Sequence, residues 1–445
     1  MVSKLPSDQV LSFLVIVSIL LISARGLGEL FRKFRQPAVM GELFAGIILG
    51  PSLLGTYAPD LFNSIFVKPT QSYVAFDGLS RMGIIFLLFV AGMEVDLNNL
   101  KKRGKAAAKI SISSVLFPFT IGFGAVWFFY DSFFSAASDD KLVPAMFIGT
   151  ALCITALSVA AKILMDMDLI KTRFGNLILT AAMINDFIGW MMFSIVINMA
   201  NLEQEGLGIW QTVIAVIAFA VLLLSVGRIF IDRGFTLVNE HLSNPGSNIT
   251  FAIAMCFLGA IFTEWTGIHA IFGAFLMGVA VGSSKNFAPH SKEILYQFIT
   301  NIFAPLFFVS IGLRVNFISN FDWKICFLIF SIASVGKILG GTLGAKASGF
   351  KINKALAVGF GMNARGSMEI VLGLLALQAK IIDEKIFVAL VVMTIVTVLI
   401  AGPAIKYFLK RHDQAINSSG ESSVEIEEPA NIPAINPAAA IQEGL

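Results

Sequence analysis

Hydrophobic residues fall along this chain in long runs, most of them near the roughly 20 residues that a helix needs to cross a bilayer, with short polar links between them. Thirteen such runs are predicted as spans: Val10–Phe31, Ala38–Gly55, Leu79–Leu97, Ala107–Phe129, Leu142–Met165, Phe174–Ala200, Ile209–Ile231, Asn248–Trp265, Ile268–Gly282, Leu295–Val315, Trp323–Ala345, Ala355–Ala379 and Phe387–Leu409. Each is read as a helix, because an open sheet leaves backbone N–H and C=O groups unsatisfied in lipid. The links after odd-numbered spans carry "RKFR", "KKRGK", "KTR", "GRIFIDR", "SSKNFAPHSK" and "KASGFKINK", and "KYFLKRH" ends the last span. Opposite links such as "NLEQEG" and "DSFFSAASDDK" are poor in bases. By the positive-inside rule the N-terminus lies outside and the C-terminus in the cytoplasm. The apolar start is read as a retained first helix, since its only early base is Lys4.

Two stretches repeat. "GELFAGIILG" sets glycines at 41, 46 and 50, and "GAFLMGVAVG" sets them at 273, 278 and 282, with the same spacings. One span further on, "LLFVAGMEVDL" answers to "FFVSIGLRVNF". The copies fall in spans two and three and in spans nine and ten, so they cross in opposite directions, as in an inverted-repeat transporter. Composition agrees with a multi-spanning protein: 56% hydrophobic, 14% charged, mean hydropathy +0.82. A net charge of +3 without a basic domain gives no basis for nucleic-acid binding. Cys153, Cys256 and Cys326 lie in apolar runs without metal-ligand spacing. No Ser/His pair, Asp dyad or HExxH run indicates an intramembrane hydrolase.

Few ionisable residues lie deep in the spans: Asp186, Lys337, Arg365 and Glu369, with Glu42, Glu264 and His269 nearer the ends. A carboxylate at mid-membrane costs on the order of 3 kcal/mol, so Asp186 needs a partner, a water-filled cavity or a task. Its neighbour Asn185 cannot cancel its charge. Lys337, in span eleven, is the expected charge partner. Arg365 and Glu369 are spaced i, i+4, which on one helix face makes an ion pair. Spans five and twelve are weak helices: Thr150, Thr155 and Ser158 fall across "GTALCITALSVAAKIL", and three glycines, Asn363 and Arg365 fall in "GFGMNARGSMEIVLG". Such residues permit unwinding that frees carbonyl oxygens, and hard monovalent cations bind such oxygens.

In order along the chain, "QPAVMGELFAGIILGPSLLG", "FLLFVAGMEVDL", "TALCITALSVAAKIL", "AAMINDFIGW", "GIHAIFGAFLMGVAVG", "PLFFVSIGLRVNF" and "GFGMNARGSMEIVLG" resemble the signatures of the monovalent cation:proton antiporters, in the branch of Kef-type K+/H+ antiporters, Na+/H+ antiporters and plant cation/proton exchangers. The resemblance implies an all-α membrane fold of 13 transmembrane helices, with inverted repeats (spans 1–6 and 8–13) and two broken, crossing helices, five and twelve. It further implies panel and dimerisation helices at 1–105 and 248–320, core helices at 106–200 and 321–411, a linker helix at 201–247 and a homodimer. Residues 412–445, polar and acidic, are expected as a disordered cytoplasmic tail. The family's cation and proton bind in competition at the position of Asp186. The preceding residue is Asp in many electrogenic members and Asn in electroneutral ones, as at Asn185. Lys337 matches the lysine that pairs with that first Asp, which is missing here.

The expectation is therefore a secondary transporter of the bilayer, in a bacterial plasma membrane, exchanging Na+ or K+ for a proton without a cofactor. Asp186 and Thr155 would hold the cation, helped by Asn185, Ser158 and Thr150. Lys337 would serve as charge partner, and Arg365 with Glu369 as a core ion pair. With one titrating midplane carboxylate the exchange should be electroneutral. A cation channel or facilitator and an organic-anion symporter are the alternatives. Spacing does not separate Na+ from K+.

Overall fold

The computed structural model describes residues 6–34, 36–67, 70–95, 97–134, 141–167, 169–170, 172–200, 209–266 and 269–419, and every regular element among them is a helix. In chain order the principal helices are α1 (Ser7–Lys33), α2 (Ala38–Leu49), α3 (Thr70–Met93), α4 (Leu97–Phe128), α5 (Leu142–Cys153), α6 (Leu157–Asp166), α7 (Arg173–Ala200), α8 (Ile209–Leu222) and α9 (Arg228–His241). They continue as α10 (Gly246–Trp265), α11 (Ala270–Gly282), α12 (Pro289–Phe298), α13 (Ala304–Arg314), α14 (Trp323–Ala347), α15 (Ile352–Met362), α16 (Ser367–Gln378) and α17 (Glu384–Ser419). Single π turns join α8 to α9 and α12 to α13. Eleven helical stretches are long and apolar enough to cross a membrane, and α11 and α16 are shorter apolar helices.

Among the boundaries that differ from the hydropathy reading, two have a plain physical reason. The third span begins at Thr70, not Leu79, because Asp77 inside it is neutralised: Arg81 Nε donates to its Oδ2 at 2.8 Å and Arg314 donates to its Oδ1. The last helix runs to Ser419, since "KYFLKRHDQA" is rich in strong helix formers. The first residues of the expected tail, from His412, are thus helical, and 420–445 lie outside the described residues. Glu264 and His269 cap a helix start: Glu264 Oε2 accepts from Ala270 N at 2.7 Å, and His269 Nδ1 from Ile271 N at 3.4 Å.

The chain packs as two units, residues 1–95 with 210–321, and residues 96–209 with 322–445. In the first, the repeated glycines are points where backbones touch. A Cβ on Gly46 of α2 would stand 2.2 Å from Val309 O and 3.0 Å from Gly312 Cα of α13. A Cβ on Gly278 of α11 would stand 2.1 Å from Phe89 O and 3.1 Å from Gly92 Cα of α3. Both contacts use the glycine of the second motif and the residue three before it, so the two copies pack in the same register. Small residues allow this approach where lipid offers no hydrophobic drive between helices. Gly278→Ala should therefore lower stability by about 1–3 kcal/mol through overpacking. Gly78, with no atom within 4 Å of its Cβ position, should accept Ala without loss. Thermal unfolding of the purified variants in detergent measures both.

In the second unit α14 lies along α4 on Gly336, Gly340 and Gly344. Their Cβ positions would stand 2.8 Å from Pro118 Cα, 2.5 Å from Ser113 O and 2.1 Å from Ser113 Oγ. That ridge brings Lys337 against α4, where Nζ donates to Ser114 O at 3.2 Å.

Candidate ion site at two interrupted helices

The fifth and twelfth apolar runs are each broken within the second unit. α5 ends at Cys153, Ile154 and Ala156 are extended, and α6 starts at Leu157. α15 ends at Met362, and α16 starts at Ser367 after Asn363–Gly366. The two breaks meet: Ala156 N donates to Ala364 O at 3.0 Å, and Thr155 Oγ1 to Met362 O at 2.9 Å. A Cβ on Gly366 would stand 2.8 Å from Ala156 Cβ, so glycine there is what permits the approach.

A helix end leaves carbonyls without partners, and at α5 cationic side chains take them. Arg365 Nη1 donates to Ala151 O at 3.3 Å and Nη2 to Leu152 O at 2.7 Å, while Lys337 Nζ donates to Cys153 O. Positive charge at a helix C-terminus also complements its dipole. At the start of α16, Glu369 Oε2 accepts from Gly366 N at 2.8 Å, and its Oε1 pairs with Arg365 at 3.2 Å. Arg365 and Glu369 are both fully buried. The pair exists as the i, i+4 spacing suggests, but not on a helix face: Arg365 lies in the break and Glu369 in the first turn after it.

Asn185 and Asp186 lie on α7, which runs close past the first break: a Cβ on Gly189 would stand 2.5 Å from Ile154 Cγ1. Asn185 is fully buried and Asp186 is 7% exposed. The amide faces Lys337 Nζ at 3.0 Å. An ammonium only donates, so the amide atom facing it is Oδ1. Thr155 Oγ1 lies 3.3 Å and Ser114 Oγ 3.1 Å from that oxygen, and the nitrogen faces Ser111 O at 3.2 Å, Ala181 O at 3.3 Å and the Ser111 hydroxyl. Lys337 is thus placed on three neutral oxygens, Ser114 O, Cys153 O and Asn185 Oδ1.

Asn185, Thr155 and Lys337 are therefore brought together. Thr150 remains helical, its hydroxyl donating to Met146 O at 2.8 Å, and Ser158 is exposed in the first turn of α6. Glu42 lies near the start of α2, as expected, and is buried there in the other unit. Among the described residues no three His, Cys, Asp or Glu side chains converge as for a metal. Neutral oxygens, the carboxylates of Asp186 and Glu369 and the cations Lys337 and Arg365 are the materials of this site. Ser111 and Ser114 were not singled out from the sequence; two hydroxyls spaced i, i+3 inside an apolar span are the signal that could have found them.

Interrupted helices meeting beside a buried carboxylate define a membrane transporter of small ions. Residues 16–411 match the family described as sodium/hydrogen exchanger, transmembrane, and the chain belongs to that family. It is 34% identical over 399 residues to the Na(+)/H(+) antiporter NhaS4 of Synechocystis sp., covering 88% of this chain and 96% of that protein. It is 32% identical over 384 residues to K(+)/H(+) antiporter 1 of Saccharomyces cerevisiae, covering 84% of this chain and 43% of that one. The chain thus spans less than half of the yeast protein. The sodium proton antiporter MjNhaP1 of Methanocaldococcus jannaschii shares the fold, with a TM-score of 0.64 at 16% identity over 89% of this chain and 96% of that one.

Proposed function

We propose that this integral membrane protein exchanges a monovalent cation for a proton, with Asp186 carrying each in turn. The observation that carries the reading is a buried carboxylate one residue from Asn185, whose amide lies 3.3 Å from the hydroxyl of Thr155 in the first helix break. The Thr155 hydroxyl supplies a neutral oxygen that replaces part of an ion's hydration shell, while the carbonyls at the end of α5 are held by Arg365 and Lys337. Sodium and potassium exchangers both occur among the relatives, and either cation suits hard oxygen ligands.

Thirteen crossings related as inverted repeats fit the matched glycine contacts of α2 with α13 and α11 with α3. In this reading the first unit is the panel and dimerises, and the second is the moving core. The N-terminus is outside, the C-terminus is cytoplasmic, and the membrane is a bacterial plasma membrane. Lys337 is a fixed charge that helps balance Asp186, and Arg365 with Glu369 hold the breaks together.

Because Asn185 does not titrate, one cation should move against one proton. Moving one charge through 100 mV is worth about 2.3 kcal/mol, and a one-for-one exchanger cannot draw on it. In proteoliposomes with an internal pH dye, NaCl or KCl added outside should drive proton exit. The cation gradient at which flux stops should be the same at zero and at about 60 mV clamped with K+ and valinomycin, Na+ being the test cation. A cation flux without proton movement would instead identify a channel.

A further inference from the structure

We infer that the side-chain oxygen of Asn363, in the second helix break, is a ligand of the transported cation and sets part of its selectivity. The inference rests on the exchange reading and adds an oxygen to the site that Asp186 and Thr155 form.

Carbonyls at the crossing already have donors. Ala151 O and Leu152 O accept from Arg365, Cys153 O from Lys337, Met362 O from the Thr155 hydroxyl at 2.9 Å and Ala364 O from Ala156 N at 3.0 Å. Asn363 Oδ1 is different. The residue is 2% exposed, and this oxygen is buried with no hydrogen-bond partner. A buried acceptor left without a donor is costly. The main chain of Asn363 closes the helix, since its N donates to Gly359 O at 3.1 Å in the last turn of α15. The side chain takes no part in that.

The amide stands beside the ion site. Met362, the residue before it, takes the Thr155 hydroxyl, and the same hydroxyl oxygen lies 3.3 Å from the Asn185 amide. Asn363 Nδ2 is 3.5 Å from Ser334 Oγ, and Ser334 lies one turn before Lys337 on α14. A hydroxyl both donates and accepts, so Ser334 serves the amide in either orientation and leaves the ion to select the oxygen. A monovalent cation suits this atom: it needs oxygens and offers no proton, and neutral amide oxygens are ligands of hard cations. Thr155 and Asn363 thus give one neutral side-chain oxygen from each break. Cations of different radius respond differently to the number and strength of such dipoles, so a ligand here is also a selectivity residue.

Calorimetric titration of the purified protein with NaCl and with KCl, at one pH, tests this. Asn363→Ala is expected to weaken binding by about tenfold for one cation and by a different factor for the other. Its unfolding temperature should stay near the parent's, since Oδ1 has no partner to lose. Should Asn363→Ala not be recovered folded, Asn363→Leu, of similar shape, is read the same way. Unchanged Kd values, or an equal loss for both cations, overturn the inference and leave the exchange reading standing. A parent protein that binds neither cation contradicts the exchange reading itself.

Discussion

Asp186→Asn should reduce cation-driven proton movement to the level of protein-free liposomes while leaving the protein folded. The substitution keeps the shape and one carbonyl oxygen of the side chain but removes the group that binds a proton and the charge that attracts a cation. Asp186 is 7% exposed while its neighbour Asn185 is fully buried. Adjacent helix residues point about 100° apart, so the amide held on Lys337 does not take the carboxylate with it. An amide is also cheaper to bury than a carboxylate, so thermal unfolding of the variant should occur at the same temperature or higher. Exchange persisting in reconstituted Asp186→Asn would remove this residue from the mechanism.

The helices were legible in the sequence because lipid leaves the backbone few alternatives, and the two weak spans were legible from their glycines and hydroxyls. Where those spans break was not. Thr150 looks as suited to unwinding as Thr155, yet it bonds back to Met146 O within α5. The break falls after Cys153 because the groups that hold the freed carbonyls, Lys337 and Arg365, arrive from far along the chain. The placement of Lys337 was hidden for the same reason. Its sign suggested a charge partner for Asp186, but not its seat: Gly336 and Gly340 set it against α4, where Ser114 O and the Asn185 amide oxygen accept its protons. Spacing found the pairing of Arg365 with Glu369 and misjudged its setting, since i, i+4 spacing implies a continuous helix and Arg365 lies outside one.

That setting makes Arg365→Leu the second large effect. The substitution leaves Glu369 buried without its ionic partner and removes the donors to Ala151 O and Leu152 O. Breaking a buried pair from one side costs about 3–5 kcal/mol, and the orphaned carbonyls add to it. At about 2–4 °C per kcal/mol for a domain of this size, unfolding in detergent should come on the order of 10 °C earlier. Adding Glu369→Gln should recover part of the loss, because no buried charge is then left unpaired. An Arg365→Leu protein as stable as the parent would show that the guanidinium does not hold the two breaks together.

The central claim is competition of cation and proton for one carboxylate, and calorimetric titration of the purified protein with NaCl and KCl across a pH series measures it directly. Below the pH at which Asp186 loses its proton, each cation bound should release one proton, and the apparent Kd should rise about tenfold for each unit of pH lowered. The heat should be absent in Asp186→Asn. A cation affinity independent of pH, with no proton released, would contradict the account.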